Sequence, residues 1–334
     1  MTYTVGGLIE ATDYNGFVAT GANNINKVWS TGTGDSGWGQ TAIGQVSVGG
    51  TVTATQWATL VANLATSGSQ TNSTLTSRTQ PVAGNTISIL ANVATDINTI
   101  TNNRGNAAAS GTEYGIFSGT TSKTTATGSG TTAWTITFTH TVTFASADAA
   151  RYFFNAGGIV KLQYGKSSTG TDHDPDWNTL AGQCGSINFT GRVNSAAQTI
   201  AGTSYTGTTR LSGTGGTQTT LATTTGFYSL TPGAAATTIF QLNNDTSPYT
   251  PEFIRTTVAL NAGSTVLTFT TTWVDDGSSG AGVSSDISGG TGVSSPATTI
   301  GAATAPTTLL TYIPPSTSFL TASWGTPTIA ASVA

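Results

Sequence analysis

The sequence predicts a mainly β chain of the α+β class, in which a two-helix attachment region precedes an antiparallel, jelly-roll-like β-sandwich. Apolar residues recur at helical spacing between residues 53 and 103, and they alternate with period two from Ala133 onward. Thr, whose branched side chain favours strands, is conspicuous along the chain. We therefore expect an attachment and oligomerisation region over residues 1–110 and a Thr- and Gly-rich sandwich domain over residues 111–334, with a low-complexity boundary near 105–130.

The first predicted helix begins after Thr53. Thr53 and Gln56 have the spacing of a capping box, in which each side chain satisfies a backbone N–H of the first turn. Gly68 is a plausible stop. The apolar positions at helical spacing are Trp57, Leu60, Val61 and Leu64. This pattern predicts an amphipathic helix that must bury one face.

A second helix is predicted over residues 88–103, with an apolar stripe of its own. The two stripes suit an ordinary intrachain contact and packing between subunits equally well. Irregular structure anchored by aromatic residues is expected before the first helix, and it can wrap a neighbour. The candidates for subunit contacts are therefore Trp29, Trp38, Trp57, Leu60, Leu64, Val93, Ile97 and Ile100.

Alternation from Ala133 to Ala145 predicts a long strand with one apolar and one hydroxyl face, and it places His140 in the apolar register. A short helix is expected over residues 146–155. Asn261–Ser264 has the composition of a hairpin connection. Further strands are predicted at residues 159–164, 186–193, 226–230, 237–242, 253–261, 265–274 and 307–313. Several strands separated by turn signals favour an antiparallel sandwich.

Charge is the unusual feature of the composition. Only 7% of the residues are Asp, Glu, Lys or Arg, and the net charge is −4, against about 25% charged residues in an ordinary domain. A surface so poor in charge suits a protein held inside an ordered assembly. No basic cluster is present to neutralise nucleic-acid phosphates. We also expect no secretory signal and no membrane insertion, because no apolar run is long enough.

Three sequence motifs could carry chemistry, and each has a simpler interpretation. Gly34-Asp35-Ser36-Gly37 is reminiscent of a serine-protease nucleophile loop, but a glycine turn that carries Trp38 explains it better. Asp172, Asp174 and Asp176 alternate as at the start of a calcium loop, which fails at Trp177 and Gln183, so they are weak metal candidates in a solvated loop. His140 suits a half-buried, hydrogen-bonded imidazole better than a catalyst. The single cysteine, Cys184, excludes an intrachain disulfide. We predict no cofactor and no catalytic residue.

Several segments resemble a family of virion structural proteins of cyanophages and other marine tailed phages, over most of the chain up to about residue 275. The segments that carry the resemblance are Val5-Gly6-Gly7-Leu8-Ile9, Asp13-Tyr14-Asn15, Ile25-Asn26, Ser36-Gly37-Trp38-Gly39-Gln40, Thr53 to Leu60 and Ala149 to Gly158. The resemblance implies a non-enzymatic tail, neck or fibre component of the virion, assembled in the host cytoplasm. Its partners would be other copies of itself and other virion proteins. The alternative is a receptor- or carbohydrate-binding adhesin module that contacts a host surface glycan.

Overall fold

The computed structural model describes twelve stretches of the chain: residues 10–82, 92–107, 125–126, 134–166, 174–191, 198–200, 203–205, 208–213, 216–245, 251–275, 298–299 and 306–334. The helices are α1 (Ala11–Asn15), α2 (Asn26–Trp29), α3 (Ala54–Gln70), α4 (Val93–Asn103), α5 (Ala147–Asn155) and α6 (Asp174–Cys184). A π-helical turn, Gly16–Thr20, follows α1, and 3₁₀ turns lie at Arg104–Asn106 and Phe227–Ser229.

The strands lie almost entirely after residue 134. They are β1 (Thr125–Ala126), β2 (Trp134–Thr143), β3 (Ile159–Gly165), β4 (Ser186–Phe189), β5 (Gln198–Ile200), β6 (Thr203–Tyr205), β7 (Thr208–Ser212), β8 (Gln218–Leu221), β9 (Thr237–Asn243), β10 (Phe253–Leu260), β11 (Val266–Asp275), β12 (Thr298–Thr299), β13 (Thr307–Ile313) and β14 (Thr328–Val333). The described chain is therefore a mixed α+β fold, with N-terminal helices followed by antiparallel sheets.

The capping box predicted at the start of α3 is confirmed. The Thr53 backbone N–H donates to Gln56 Oε1 at 2.8 Å, and the Gln56 N–H donates to Thr53 Oγ1 at 3.3 Å. The helix continues through Gly68 and ends at Gln70. Helix α4 begins at Val93 after Asn92 in the left-handed conformation (φ 67°). The predicted first turn of this helix, residues 88–91, lies outside the described residues.

Two open antiparallel sheets form the larger part of the fold. The first has the order β14-β2-β11-β10-β9-β8, and the second has the order β13-β3-β4-β7. Strands β8 to β11 follow one another as a meander within one sheet, which departs from the alternation between sheets that a jelly roll requires. The predicted hairpin between β10 and β11 is confirmed, since Asn261 Oδ1 accepts from the Thr265 and Val266 N–H groups.

The inner faces of the two sheets pack against each other. Phe189 of β4 meets Phe269 of β11 edge-on, with ring centroids 5.3 Å apart. The Tyr164 hydroxyl of β3 lies 2.8 Å from Thr256 Oγ1 of β10, and Trp273 Nε1 donates to Thr308 Oγ1 at 3.2 Å. The core between the sheets is thus aromatic, with a few paired hydroxyl groups inside it.

The N-terminal helices share this core. Trp38 Nε1 donates to the Asn155 carbonyl at 3.0 Å, and Gln70 Nε2 donates to the Ala156 carbonyl at 2.9 Å. Gln40 Nε2 donates to the Thr321 carbonyl, and Gln40 Oε1 accepts from the Thr321 N–H. The predicted boundary at residue 110 lies outside the described residues. Across that boundary, the two predicted regions are held together by buried hydrogen bonds.

Four predictions of local structure are wrong. The irregular structure expected before the first predicted helix contains helix α1, the π-helical turn and helix α2. Residues 174–184 form helix α6 rather than a solvated loop, because Trp177 and Leu180 bury one helical face. The strand predicted over 226–230 is a 3₁₀ turn in which the Gly226 N–H donates to Ser229 Oγ. The strand predicted over 186–193 ends at Phe189. Strands β7, β8 and β14 were not predicted, since their sequences lack a strong alternation of apolar residues, and neither were the two- and three-residue strands β1, β5, β6 and β12.

Candidate functional site

The loop containing Gly34-Asp35-Ser36-Gly37 is a structural turn around Trp38. Gly37 has φ +101°, and a Cβ placed there would lie 2.2 Å from the Thr31 carbonyl oxygen. The Trp38 side chain is fully buried. The Asp35 carboxylate pairs with Arg104 at 2.7 Å. The loop therefore closes over an aromatic anchor, as the sequence predicts.

Ser36 has no base beside it among the described residues. Its carbonyl accepts a hydrogen bond from Arg151 Nη1 at 2.8 Å, which fixes the backbone. Neither ring nitrogen of His140 makes a hydrogen bond of normal geometry, so Ser36 and His140 are not paired. His173 lies outside the described residues. A nucleophile needs a base within hydrogen-bond reach, so the described geometry gives no support to serine hydrolysis.

His140 is more deeply buried than the sequence predicts. Its side chain has no exposed surface, and it lies in the apolar register of β2 beside Phe138 and Val142. Burial lowers the pKa of His140 from 6.5 to about 4, and the nearby Thr308 backbone opposes this in part. Without a normal hydrogen bond on either nitrogen, the imidazole is neutral at pH 7 and acts as a core residue.

The weak metal candidates do not form a calcium loop in the described structure. Asp172 lies outside the described residues, whereas Asp174 and Asp176 lie in the first turn of α6. A helical backbone there cannot wrap around an ion as a twelve-residue loop does. Among the described residues, no group of three His, Cys, Asp or Glu side chains is placed to share a metal ion.

The eight candidates for subunit contacts belong to the core of this chain. Seven of them are at most 1% exposed, and Trp29 is 9% exposed. Trp57 packs edge-on against Tyr14 and Phe17, and Trp29 packs against Trp38. The seven are Trp38, Trp57, Leu60, Leu64, Val93, Ile97 and Ile100. Intrachain packing explains both helical stripes, so these eight residues are not available for a contact between subunits.

A cavity of about 320 Å³ lies between α3 and the segment that follows it, with Leu64, Gly68 and Leu75 in its wall. Arg78 also lines it, and this guanidinium forms an ion pair with Asp96, both side chains being 6% exposed. The Asp96 carboxylate also accepts from the Thr76 N–H at 3.2 Å. The described lining thus has hydroxyl groups and an ion-paired arginine. The two contacts with Asp96 attach Thr76 and Arg78 to α4.

The outer face of the six-stranded sheet is the most distinctive surface of the described chain. The inward positions of β2 and β11 are buried, so the alternate positions point outward. Thr141 lies opposite Thr268, Thr139 opposite Thr270, and Thr137 opposite Thr272. We call this surface the threonine face; it consists of Thr135, Thr137, Thr139, Thr141, Thr143, Thr257, Thr268, Thr270, Thr272, Thr328 and Ser332.

The threonine face is a regular array of neutral groups. Strands lie about 4.8 Å apart, and same-face residues along a strand lie about 6.8 Å apart. Each hydroxyl is both a donor and an acceptor, and each threonine adds a methyl group. Among the outward positions of β2, β10 and β11, Arg255 carries the single charge, and it lies 5.1 Å from the Phe253 ring. Such a face can pack against another polar surface without removing many charges from water.

Comparison with protein-family models, with curated proteins and with solved structures finds no match to this chain. Within the described ranges, no helix has both the length and the apolar character needed to cross a membrane.

The sequence predicts five of the eleven residues of this face, those on β2. The alternation in β2 predicts one hydroxyl face, and the structure confirms it. The sequence did not predict that β10, β11 and β14 continue the same array, because the register between distant strands cannot be inferred from the sequence of any one strand. The available signal was the Thr-Phe-Thr-Thr-Thr run at residues 268–272, which repeats the composition of β2.

Proposed function

We propose that the chain is a non-enzymatic structural component of a tailed-phage virion, of tail, neck or fibre type, which assembles through subunit contacts. The observation that carries the proposal is the threonine face, a broad neutral surface on a chain with only 7% charged residues. The resemblance to virion structural proteins of cyanophages and other marine tailed phages supports the same assignment. Its partners are other copies of the chain and other virion proteins, and its location is the virion.

Two features of the fold support a role without catalysis. The buried His140 and the turn around Ser36 are both explained by packing. The two packed antiparallel sheets are part of this proposal, as a rigid scaffold that presents the threonine face. Rigid sheets hold a contact surface with little entropy loss on assembly.

Quantitative mass spectrometry and immunogold labelling of purified particles test the proposal. We expect the chain in particles at a fixed ratio to the major capsid protein, and gold particles at one structural feature. A chain made abundantly during infection but absent from purified particles would contradict a structural role. A set of infected-cell proteins that never enters particles provides the control for contamination.

One observation favours the alternative of an adhesin that contacts a host glycan. At one end of the threonine face, Phe253 lies opposite Asn243, and Arg255 lies opposite Gln241. The Gln241 side chain donates to Asn243 Oδ1 at 2.9 Å. An aromatic ring beside amides is typical of sugar-binding surfaces. A glycan array would reveal binding that Phe253→Ala removes and that Thr139→Ala, on the inner strand β2 of the face, leaves unchanged.

A further inference from the structure

Within the described part of the chain, one edge of the six-stranded sheet is a strand that lacks the usual edge protection. Strand β14 pairs with β2 on one side, and no described strand pairs with its other side. Natural sheets protect such edges with charges, prolines, bulges or very short strands. The opposite edge, β8, is four residues long and has a register shift in its pairing with β9. Strand β14 has none of these devices: its pairing is regular, and residues 287–334 contain no Asp, Glu, Lys or Arg.

The hydrogen bonds to β2 show which backbone groups of β14 remain available. The N–H and the carbonyl of Ala334 both bond to Thr137, at 2.9 Å each. In an antiparallel ladder, residues alternate between bonding to one neighbour and to the other. Continuing the register from Ala334, the backbone groups of Ile329, Ala331 and Val333 therefore point away from β2.

We propose that β14 pairs antiparallel with β14 of a second copy of this chain, about a two-fold axis at Ala331. This register places Ile329 opposite Val333 of the other copy, and Ala331 opposite itself. Each of the three residue pairs then exchanges two hydrogen bonds, so every outward-pointing group of β14 is used. A register centred on Ala330 would instead place Val333 opposite Pro327, which has no N–H to donate.

The side chains suit the same register. Ile329 and Val333 are half-buried and pack against the core of their own chain, so their contact across the axis extends that core. On the other side of the strand, Ala330 lies opposite Ser332 of the second copy, and both are exposed. The two threonine faces become one continuous neutral surface. Because the strand complements itself, a second copy fits this edge better than an unrelated strand does.

This inference rests on the proposed function, since it identifies the contact through which subunits join. Sedimentation velocity of the full chain over a broad concentration range should show a monomer–dimer equilibrium. Ala331→Pro removes the N–H at the axis but no bond to β2, and an edge strand tolerates proline at such a position. We expect it to lose the dimer while its circular dichroism stays unchanged. A monomeric parent chain, or a dimer that survives Ala331→Pro, would overturn the proposal.

Two charge variants test the proposed register even where Ala331→Pro perturbs folding. Ala330→Lys/Ser332→Lys places lysines opposite each other across the axis, whereas Ala330→Lys/Ser332→Glu places a lysine opposite a glutamate. Both change the same exposed positions of one strand. The first should abolish the dimer, and the second should retain it, with a dependence on salt. Equal dimerisation of the two variants would overturn the register.

Disulfide trapping tests the axis directly. Directly opposite residues of a hydrogen-bonded pair lie about 5.5 Å apart at Cα, which is within the reach of a disulfide. Ala331→Cys should therefore cross-link the dimer under oxidation, whereas Ala330→Cys should cross-link much less. Cross-linking of Ala330→Cys alone would contradict the axis. If these experiments show no dimer, the virion proposal is still tested by whether the chain is present in purified particles. If the chain is absent from particles, the pairing of β14 is still tested by these experiments.

Discussion

At the scale of single residues, His140 is the least expected feature. A fully buried imidazole whose ring nitrogens make no hydrogen bond of normal geometry costs stability, because the nearby Thr308 backbone replaces only part of the water that they lose. The strand pattern predicted that this residue faces inward, but it could not predict how poorly its ring nitrogens are hydrogen-bonded. Their surroundings depend on which strand of the second sheet lies opposite, and that strand is β13, whose Thr308 backbone is close to the ring.

The pKa of His140 makes stability depend on pH. Because its pKa is lowered to about 4 in the folded chain and is about 6.5 when unfolded, the unfolded chain binds the extra proton between these values. The free energy of unfolding is therefore unaffected by the titration of this group above about pH 6.5. It decreases as the pH falls toward 4, by roughly 3 kcal/mol in total.

We expect His140→Leu, which has a similar volume and no titrating group, to reduce the loss of stability between pH 6.5 and 4. Denaturant unfolding at several pH values measures this. At pH 7 the variant should be at least as stable as the parent chain, because it removes unsatisfied polar atoms. An identical pH dependence in both proteins would show that the imidazole is not the titrating group.

Gly37 and Gly34 allow a matched comparison in one turn. Both have positive φ, but a Cβ on Gly37 would meet the Thr31 backbone, whereas one on Gly34 meets nothing within 4 Å. We expect Gly37→Ala to cost about 3 kcal/mol or more of the free energy of unfolding. Gly34→Ala should cost about 1 kcal/mol, from the left-handed conformation alone. Equal losses in thermal unfolding would mean that the contact is relieved by movement of the loop.

At the scale of elements, the capping box of α3 is the clearest agreement between sequence and structure. Thr53→Ala should lower the free energy of unfolding by about 1 kcal/mol, because the N–H of Gln56 loses its acceptor. Thr55 lies exposed in the first turn of the helix, so Thr55→Ala should be nearly neutral. Urea unfolding of both variants measures the difference, and similar losses would contradict a specific capping role.

The elements that the sequence failed to predict share a physical cause. Helix α6 has little amphipathic pattern, and the burial of Trp177 against Trp273, 5.8 Å away, holds it in place. Strand β14 is short and rich in Ala, and its pairing with β2 makes it a strand. Both elements depend on tertiary contacts, which override weak local preferences.

At the scale of the whole molecule, the N-terminal helices and the sheets should unfold together. Gln40 bonds to the Thr321 backbone on both sides of its amide, and Trp38 bonds to the Asn155 carbonyl. Calorimetry of the parent chain should show one unfolding transition. Gln40→Ala should lower the midpoint temperature of that single transition. Thr41→Ala, which changes an exposed side chain in the same loop, provides the control. Two separate transitions would contradict the shared core.

By itself, the sequence determined the α+β class, the start of α3, the inward face of β2, the β10–β11 hairpin and the low charge of the surface. These properties follow from local periodicity, from turn chemistry or from composition. The tertiary structure decided that the helical stripes pack inside the chain, that His140 is buried without a hydrogen bond of normal geometry, that threonines from several strands form one face, and that β14 is an edge strand of the described sheet. Each of these depends on which distant segments become neighbours, and that is set by burial and register over the whole chain.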